Sequence, residues 1–239
     1  IRFRAITLQH RDIPVSLSNF EGFISLTPEQ IRFDELKGKV GDSPVTVSGA
    51  VSPKAPSSSA PSQEVGGGLG LSESGRLSFQ ISSPQLDLDP LFPERKGASS
   101  ASFEGIRDVL SYWSIDGKIK IDRAKYRSLR CQDLRTEIKT IDGTLFIRPF
   151  QCRANGGDVW GEGWLKPTER GIRFEIKPRF SNMEAKAFFR TFFQKGEEAR
   201  TVMTGSVHVD KVRLQGEGED FEKVKASLNG NLRFEVDRG

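Results

Sequence analysis

Nucleophilic or metal chemistry would have to be built on two histidines, His10 and His208, and two cysteines, Cys131 and Cys152, because the 239-residue chain contains no others. A Ser or Cys nucleophile needs a base beside it, and a structural zinc needs clustered Cys or His ligands. Neither pattern occurs. His208 lies between Val207 and Val209, and so faces water if those valines face a core. Gly41-Asp-Ser43-Pro-Val45 begins like a serine elbow but lacks the closing glycine. The glycine-rich run from Gly66 to Gly70 is not followed by Gly-Lys-Ser or Gly-Lys-Thr, and Gly161-Glu-Gly163 lacks a third glycine, so both fail as phosphate cradles. Asp87 with Asp89, and Glu217 with Glu219 and Asp220, read as charges on a solvated face. These residues predict no enzyme, no metal centre and no cofactor. Cys131 and Cys152 are either buried free thiols or one disulfide, which the redox compartment would decide.

The charge balance narrows the partners. Lys and Arg number 36 against 32 Asp and Glu, a net charge of +4, and the two signs are interspersed instead of blocked. No nucleic-acid groove is expected from that distribution. No apolar run approaches the roughly 20 residues that cross a bilayer. The chain starts at Ile1 and its last strand-like run, Leu232 to Val236, stops almost at the terminus, so any anchoring segment is expected outside this chain.

What must position the side chains is legible from the glycines. Gly22 leads Ile24 and Leu26; Gly75 leads Leu77, Phe79 and Ile81; Gly117 leads Ile119 and Ile121; Gly143 leads Leu145 and Ile147; Gly205 leads Val207 and Val209; Gly230 leads Leu232, Phe234 and Val236. Apolar residues at every second position put one side of a strand on an apolar surface and the other in water, a period that a helix does not keep. The intervening Lys118, Lys120 and Asp122 agree. This is half-buried antiparallel sheet. A longer unit recurs from Gly22 to Pro53 and from Gly143 to Pro167, each read as an opening strand, a middle strand and a closing strand, the first closing through Val45 and Val47. In the second, Phe150 to Ala154 is the middle strand and Asn155 to Asp158 the hairpin that follows. Such repetition predicts one continuous mainly β unit over residues 1–239, grown by adding antiparallel meanders.

Three segments break the pattern. Residues 52–74, rich in Pro, Ser and Gly, read as a flexible insertion. Residues 103–113 place Phe103, Ile106, Val109, Leu110 and Trp113 at helical spacing, and residues 183–193 do the same with Phe188, Phe189, Phe192 and Phe193. Two short helices cannot cover about a dozen strands. Either a second layer closes the sheet into a sandwich core, or the sheet curves without closing and leaves an apolar groove. Pattern alone leaves both open.

The arrangement resembles the AsmA-like family of bacterial envelope proteins, grouped with bridge-type lipid carriers. Ile81-Ser-Ser-Pro-Gln-Leu86-Asp-Leu88-Asp is similar to its strand leading into a short helix. Gly117 to Ile121, Tyr126, Leu129 and Leu134, Asp142-Gly143-Thr-Leu145 and Gly156-Gly157-Asp-Val-Trp-Gly161-Glu-Gly163 resemble its repeated meander. Phe180 to Phe193, Thr204-Gly205-Ser-Val207, a Leu214-Gln-Gly216 turn and Leu228-Asn-Gly230-Asn-Leu232 resemble its C-terminal region. The resemblance implies a taco-shaped groove on the periplasmic side of an inner-membrane anchor, with a role in phospholipid movement or outer-membrane maintenance. Its ligand would be a phospholipid or another acyl-chain lipid. The lining would be Ile24, Leu26, Val45, Val47, Ile119, Ile121, Leu145, Ile147, Val207, Val209, Leu232 and Phe234. Phe188, Phe189, Phe192 and Phe193 would cap the groove or meet a protein partner. The competing expectation is a non-enzymatic envelope scaffold that binds a protein through its sheet edge or its Phe-rich helix.

Overall fold

The computed structural model describes residues 1–8, 15–53, 74–91, 103–126, 129–192 and 204–237. Among them the elements run β1 (Arg2–Leu8), β2 (Leu17–Leu26), β3 (Ile31–Val40), β4 (Ser43–Pro53), β5 (Gly75–Ser83) and β6 (Leu86–Asp87). A single 3-10 turn (Asp89–Leu91) and α1 (Glu104–Tyr112) precede β7 (Trp113–Tyr126), β8 (Leu129–Ile141), β9 (Thr144–Ala154), β10 (Gly157–Thr168) and β11 (Gly171–Glu184). Then come α2 (Ala185–Phe192), β12 (Ser206–Gly218), α3 (Phe221–Ser227) and β13 (Asn229–Asp237). All 13 strands belong to one sheet whose neighbours follow chain order, with β6 off the main path, and β1 and β13 remain unjoined edges. The mainly β architecture is therefore as the sequence predicts, and the curved, open form is the one that the family resemblance implies. Of the expected insertion, Ser52 and Pro53 belong to β4, and residues 54–73 lie outside the described residues.

Several differences from the sequence reading have physical reasons. The meander is interrupted once: β5 and β6 both pair parallel to β7. Parallel neighbours need a long crossover, and β6, the 3-10 turn and α1 all lie in the chain between β5 and β7. Leu145 to Ala154, read as two strands, is the single strand β9, carrying an extra residue around Arg148-Pro149 where Ile147 pairs with Gly163 and Phe150 with Gly161. Proline has no N–H for the ladder and is at home in such a bulge. Leu214-Gln-Gly216 is not a turn but the interior of β12, paired with Ile176 and Phe174. A third helix, α3, follows Asp220, whose carboxylate accepts the Lys223 N–H at 2.8 Å.

Bulges keep the apolar residues in phase. Leu17 and Phe20 flank Asn19, Phe33 and Leu36 flank Glu35, Cys131 and Leu134 flank Asp133, and Phe180 and Met183 flank Asn182. Each central residue has positive φ (56°, 47°, 55° and 56°), and each sits at a register shift. A three-residue step would throw the second apolar side chain onto the wrong face of a regular strand, and the extra bulged residue returns it. Asn and Asp, the commonest residues here, tolerate the left-handed region best after Gly. Bulges also bend strands and increase their twist, which curves the sheet.

The extent of that curvature follows from α1. Ile115 on β7 donates its N–H to Thr140 Oγ1 on β8, and from Thr140 the register runs through Leu145, Leu165 and Phe174 to Gly216 on β12. Five inter-strand steps make about 24 Å along the sheet. Yet α1, nine residues and therefore about 14 Å long, runs from the head of β7 to Phe103, whose N–H donates to the Glu219 carbonyl just past β12 at 2.9 Å. The sheet bends around α1, which lies along its concave side, and Leu110, Ile115 and Ile172 are buried at that rim.

Candidate functional site

A single row of partners crosses the sheet from β2 to β13: Ile24, Phe33, Gly49, Phe79, Gly117, Ile138, Ile147, Gly163, Ile176, Leu214 and Gly230. Directly paired residues in a sheet share a face, so this row lies on one side of the whole sheet, and no member is polar. A parallel row through Leu26, Ile31, Val51, Leu77 and Ile115 continues through Thr140 to Leu145, Leu165 and Phe174. This face carries the buried core, whose largest cluster includes Phe188 of α2, and it is the concave one. Glycine recurs in these rows because neighbouring rings lie flat across it. A Cβ on Gly117 would come within 2.4 Å of the Phe79 ring, and one on Gly161 within 2.4 Å of Phe150. The rings thereby lie over these glycines and cover the floor of the concave face. Gly117→Val should displace Phe79 and cost about 1–3 kcal/mol; thermal unfolding checks it. Gly105→Ala, in α1 with nothing within 4 Å, should be neutral or stabilising in the same assay.

The expected lining residues divide by exposure. Val45, Ile121, Val207 and Val209 are sealed in the protein's own packing, the last two fully buried. Ile24, Val47, Ile119, Leu145 and Ile147 are half-exposed, and Leu26 is 56% exposed. Leu232 on β13 pairs with Val212 on β12, and the side chains of Leu232 and Phe234 lie outside the described residues. The sealed residues sit at the rim opposite α1, beneath α2 or beside β6. There Phe188, 2% exposed, meets Phe180 and Phe189 edge-on with centroids 5.5 Å apart in each pair. Phe188 is thus a plug on the concave face and offers no surface to a partner; Phe189 is half-buried. The side chain of Phe192 and all of Phe193 lie outside the described residues, as does His10. Between the plug and α1, the middle of the face stays within reach of solvent.

The convex face is charged. Lys118 pairs with Glu137 at 3.6 Å, and Lys125 bridges Asp87 and Asp89 at 3.1 and 3.0 Å, pinning the start of the crossover to β7. Two polar hollows lie on this face. One, about 100 Å³, is lined by Phe146, Arg148, Glu162, Trp164, Glu175 and Lys177, the other, about 220 Å³, by His208, Asp210, Lys211, Arg233 and Glu235. The Glu175 side chain is only 6% exposed and is held between Lys177 at 3.0 Å and Arg213. The Lys177 hydrogen bond, followed by Arg213, holds its carboxyl below the ordinary value of 4.5 against the opposing effect of burial. The folded chain therefore binds this proton less tightly than the unfolded chain. The pairing stabilises above pH 4.5 and is lost as pH falls from there through the lowered value. Glu175→Gln should lower Tm at pH 7 and flatten its decline below pH 4.5; thermal unfolding against pH checks both.

His208, without a partner motif in the sequence, has neighbours in space. Ser181 Oγ lies 3.4 Å from Nδ1, and Asp237 Oδ2 lies 3.4 Å from Nε2. A nucleophilic triad relies on a buried carboxylate that fixes the imidazole. Asp237 is 70% exposed, so the three residues form a polar ladder on the water-facing side. Among the described residues no cluster of three His, Cys, Asp or Glu could hold a metal ion, and no helix is long and apolar enough to cross a membrane.

No family model matches the chain, and no solved structure matches it. It is 26% identical over 143 residues to Protein AsmA of Escherichia coli (strain K12), an alignment that covers 51% of this chain and 23% of that protein. The chain thus spans under a quarter of this relative's length. This likeness to AsmA over half of the chain, joined to a bulged, open, one-sided sheet, supports the AsmA-like assignment that the glycine-led strands suggest.

Proposed function

We propose that this chain is a lipid-binding, lipid-conducting segment of a bacterial cell-envelope protein, acting on the periplasmic side of the inner membrane in phospholipid transport or outer-membrane maintenance. The observation that carries the reading is the concave face: eleven successive strand partners without a polar side chain, on a sheet whose two edges do not meet. A soluble protein rarely leaves so long an apolar surface without an occupant. Acyl chains suit it because they need no hydrogen bonds and gain about 0.8 kcal/mol per buried methylene. Charged head groups would stay at the rims, where water and mixed charges are at hand. No bond need be made or broken. The likeness to AsmA supports an envelope setting.

Native mass spectrometry of gently purified protein, with extraction and identification of bound lipid, tests the proposal. Phospholipid is expected at one molecule or more per chain. A fully folded chain that remains lipid-free after incubation with phospholipid would defeat it and leave the scaffold reading, in which an added strand pairs with β1 or β13.

A further inference from the structure

The chain has only two cysteines, and the fold brings them together. Cys131 on β8 pairs with Ala154 of β9, and Cys152 stands two residues away on the same face, so the thiols are diagonal neighbours across adjacent antiparallel strands. Both belong to the packing beneath α2 and both are free. Cys152 is 8% exposed, whereas Cys131 is half-buried, so a reagent from solvent reaches Cys131 first. The proximity of the two thiols lowers that of Cys131 below its usual value and, together with burial, raises that of Cys152. One sulfur is thus set to attack and the other to follow.

We propose that Cys131 and Cys152 form a dithiol modification site that reacts with a small-molecule disulfide and closes an intramolecular disulfide between β8 and β9. This inference is independent of lipid binding. In the first step the Cys131 thiolate attacks one sulfur of the external disulfide, forming a mixed disulfide and releasing one thiolate. In the second, Cys152 loses its proton and attacks Cys131 Sγ, releasing the second thiolate. The protein is oxidised by two electrons, and the external disulfide is reduced to two thiols. Same-face diagonal neighbours stand about 7–8 Å apart at Cα, slightly beyond the usual disulfide range of about 4.4–6.8 Å. Closure must draw the strands together by about an ångström, and the Asp133 bulge, where the ladder is already interrupted, provides the give.

Incubation of the reduced chain with glutathione disulfide near neutral pH, followed by alkylation and peptide mapping, tests the site. The expected product is a single Cys131–Cys152 bond with the loss of two hydrogens in mass, reversed by dithiothreitol and accompanied by a Tm several degrees higher. Cys152→Ser should accumulate a glutathione adduct at Cys131, while Cys131→Ser should react at least about tenfold more slowly at Cys152. Unmodified thiols in the native chain, a stable adduct without ring closure, or a bond that forms only in denaturant would each overturn the proposal. The native chain decides this even if a variant fails to fold.

Discussion

Ile119→Asp is expected to reduce co-purified lipid by more than tenfold while the sheet remains folded. Ile119 is half-exposed near the middle of β7, paired with Ile81 on one side and Thr136 on the other, between the rims held by α1 and α2. In the empty groove an aspartate here keeps most of its water. Beneath an acyl chain it would lose that water, and an unpaired carboxylate resists this by several kcal/mol, comparable to the gain from burying several methylenes at about 0.8 kcal/mol each. Lys118→Asp, one residue away on the convex face, should leave lipid content unchanged. Quantitative lipid extraction checks both, and a circular dichroism spectrum confirms that the strands persist. Equal lipid in the two variants would remove the concave face from the binding path.

Phe188→Ala is expected to destabilise the chain far more than the loss of an exposed ring. The Phe188 side chain is 2% exposed, meets Phe180 and Phe189 edge-on, and lies among Met183, Val207 and Val209, all fully buried. Its removal forfeits the burial of the ring and leaves a cavity that a sheet on one side and a short helix on the other cannot collapse to fill. Such truncations cost about 3–5 kcal/mol, a fall in Tm on the order of 10 °C for a chain of this size. Phe188→Leu should recover most of that loss. Phe23→Ala, on a side chain 58% exposed, should shift Tm little. Thermal unfolding of the three variants measures the contrast.

Much of the architecture is legible in the sequence because half-buried strands write their orientation into the chain at a period of two. Gly117-Lys-Ile119-Lys-Ile121 admits one reading, and β7 follows it. The turns are equally clear: Asp142-Gly143 and Asn155-Gly156 both adopt the consecutive positive φ values that those residues accommodate. Alternation misleads where the period breaks. Ile147 and Phe150 are three apart, and only the pairing with β10 shows that they share a face across a bulge instead of belonging to two strands. The parallel pairing of β5 with β7 is a long-range choice that alternation cannot encode. The α3 helix leaves a local signal, Asp220 as its cap, that is easily mistaken for plain surface charge.

The candidate site divides along the same line. Register, once known, places the described lining residues on one face, because all of them carry the same phase relative to their glycines or to Val47. Which of them reach solvent depends on where α2 and β6 fall, and no pattern in a strand's own residues records what lies above it. Val207 and Leu145 follow their glycines at the same offset, yet one is fully buried and the other half-exposed. Cys131 and Cys152 are likewise separated by a hairpin whose register brings them together, a proximity that spacing alone leaves undecided.

The central claim is that acyl chains lie against one face of this sheet and avoid the other. Photocrosslinking with a phospholipid that carries a diazirine in its acyl chain, followed by peptide mapping, addresses it most directly. Labels are predicted at half-exposed concave positions such as Ile24, Val47, Ile119 and Ile147, with Lys118 and Arg148 on the convex face unlabelled. Labelling spread equally over both faces, or confined to the convex one, would contradict the account.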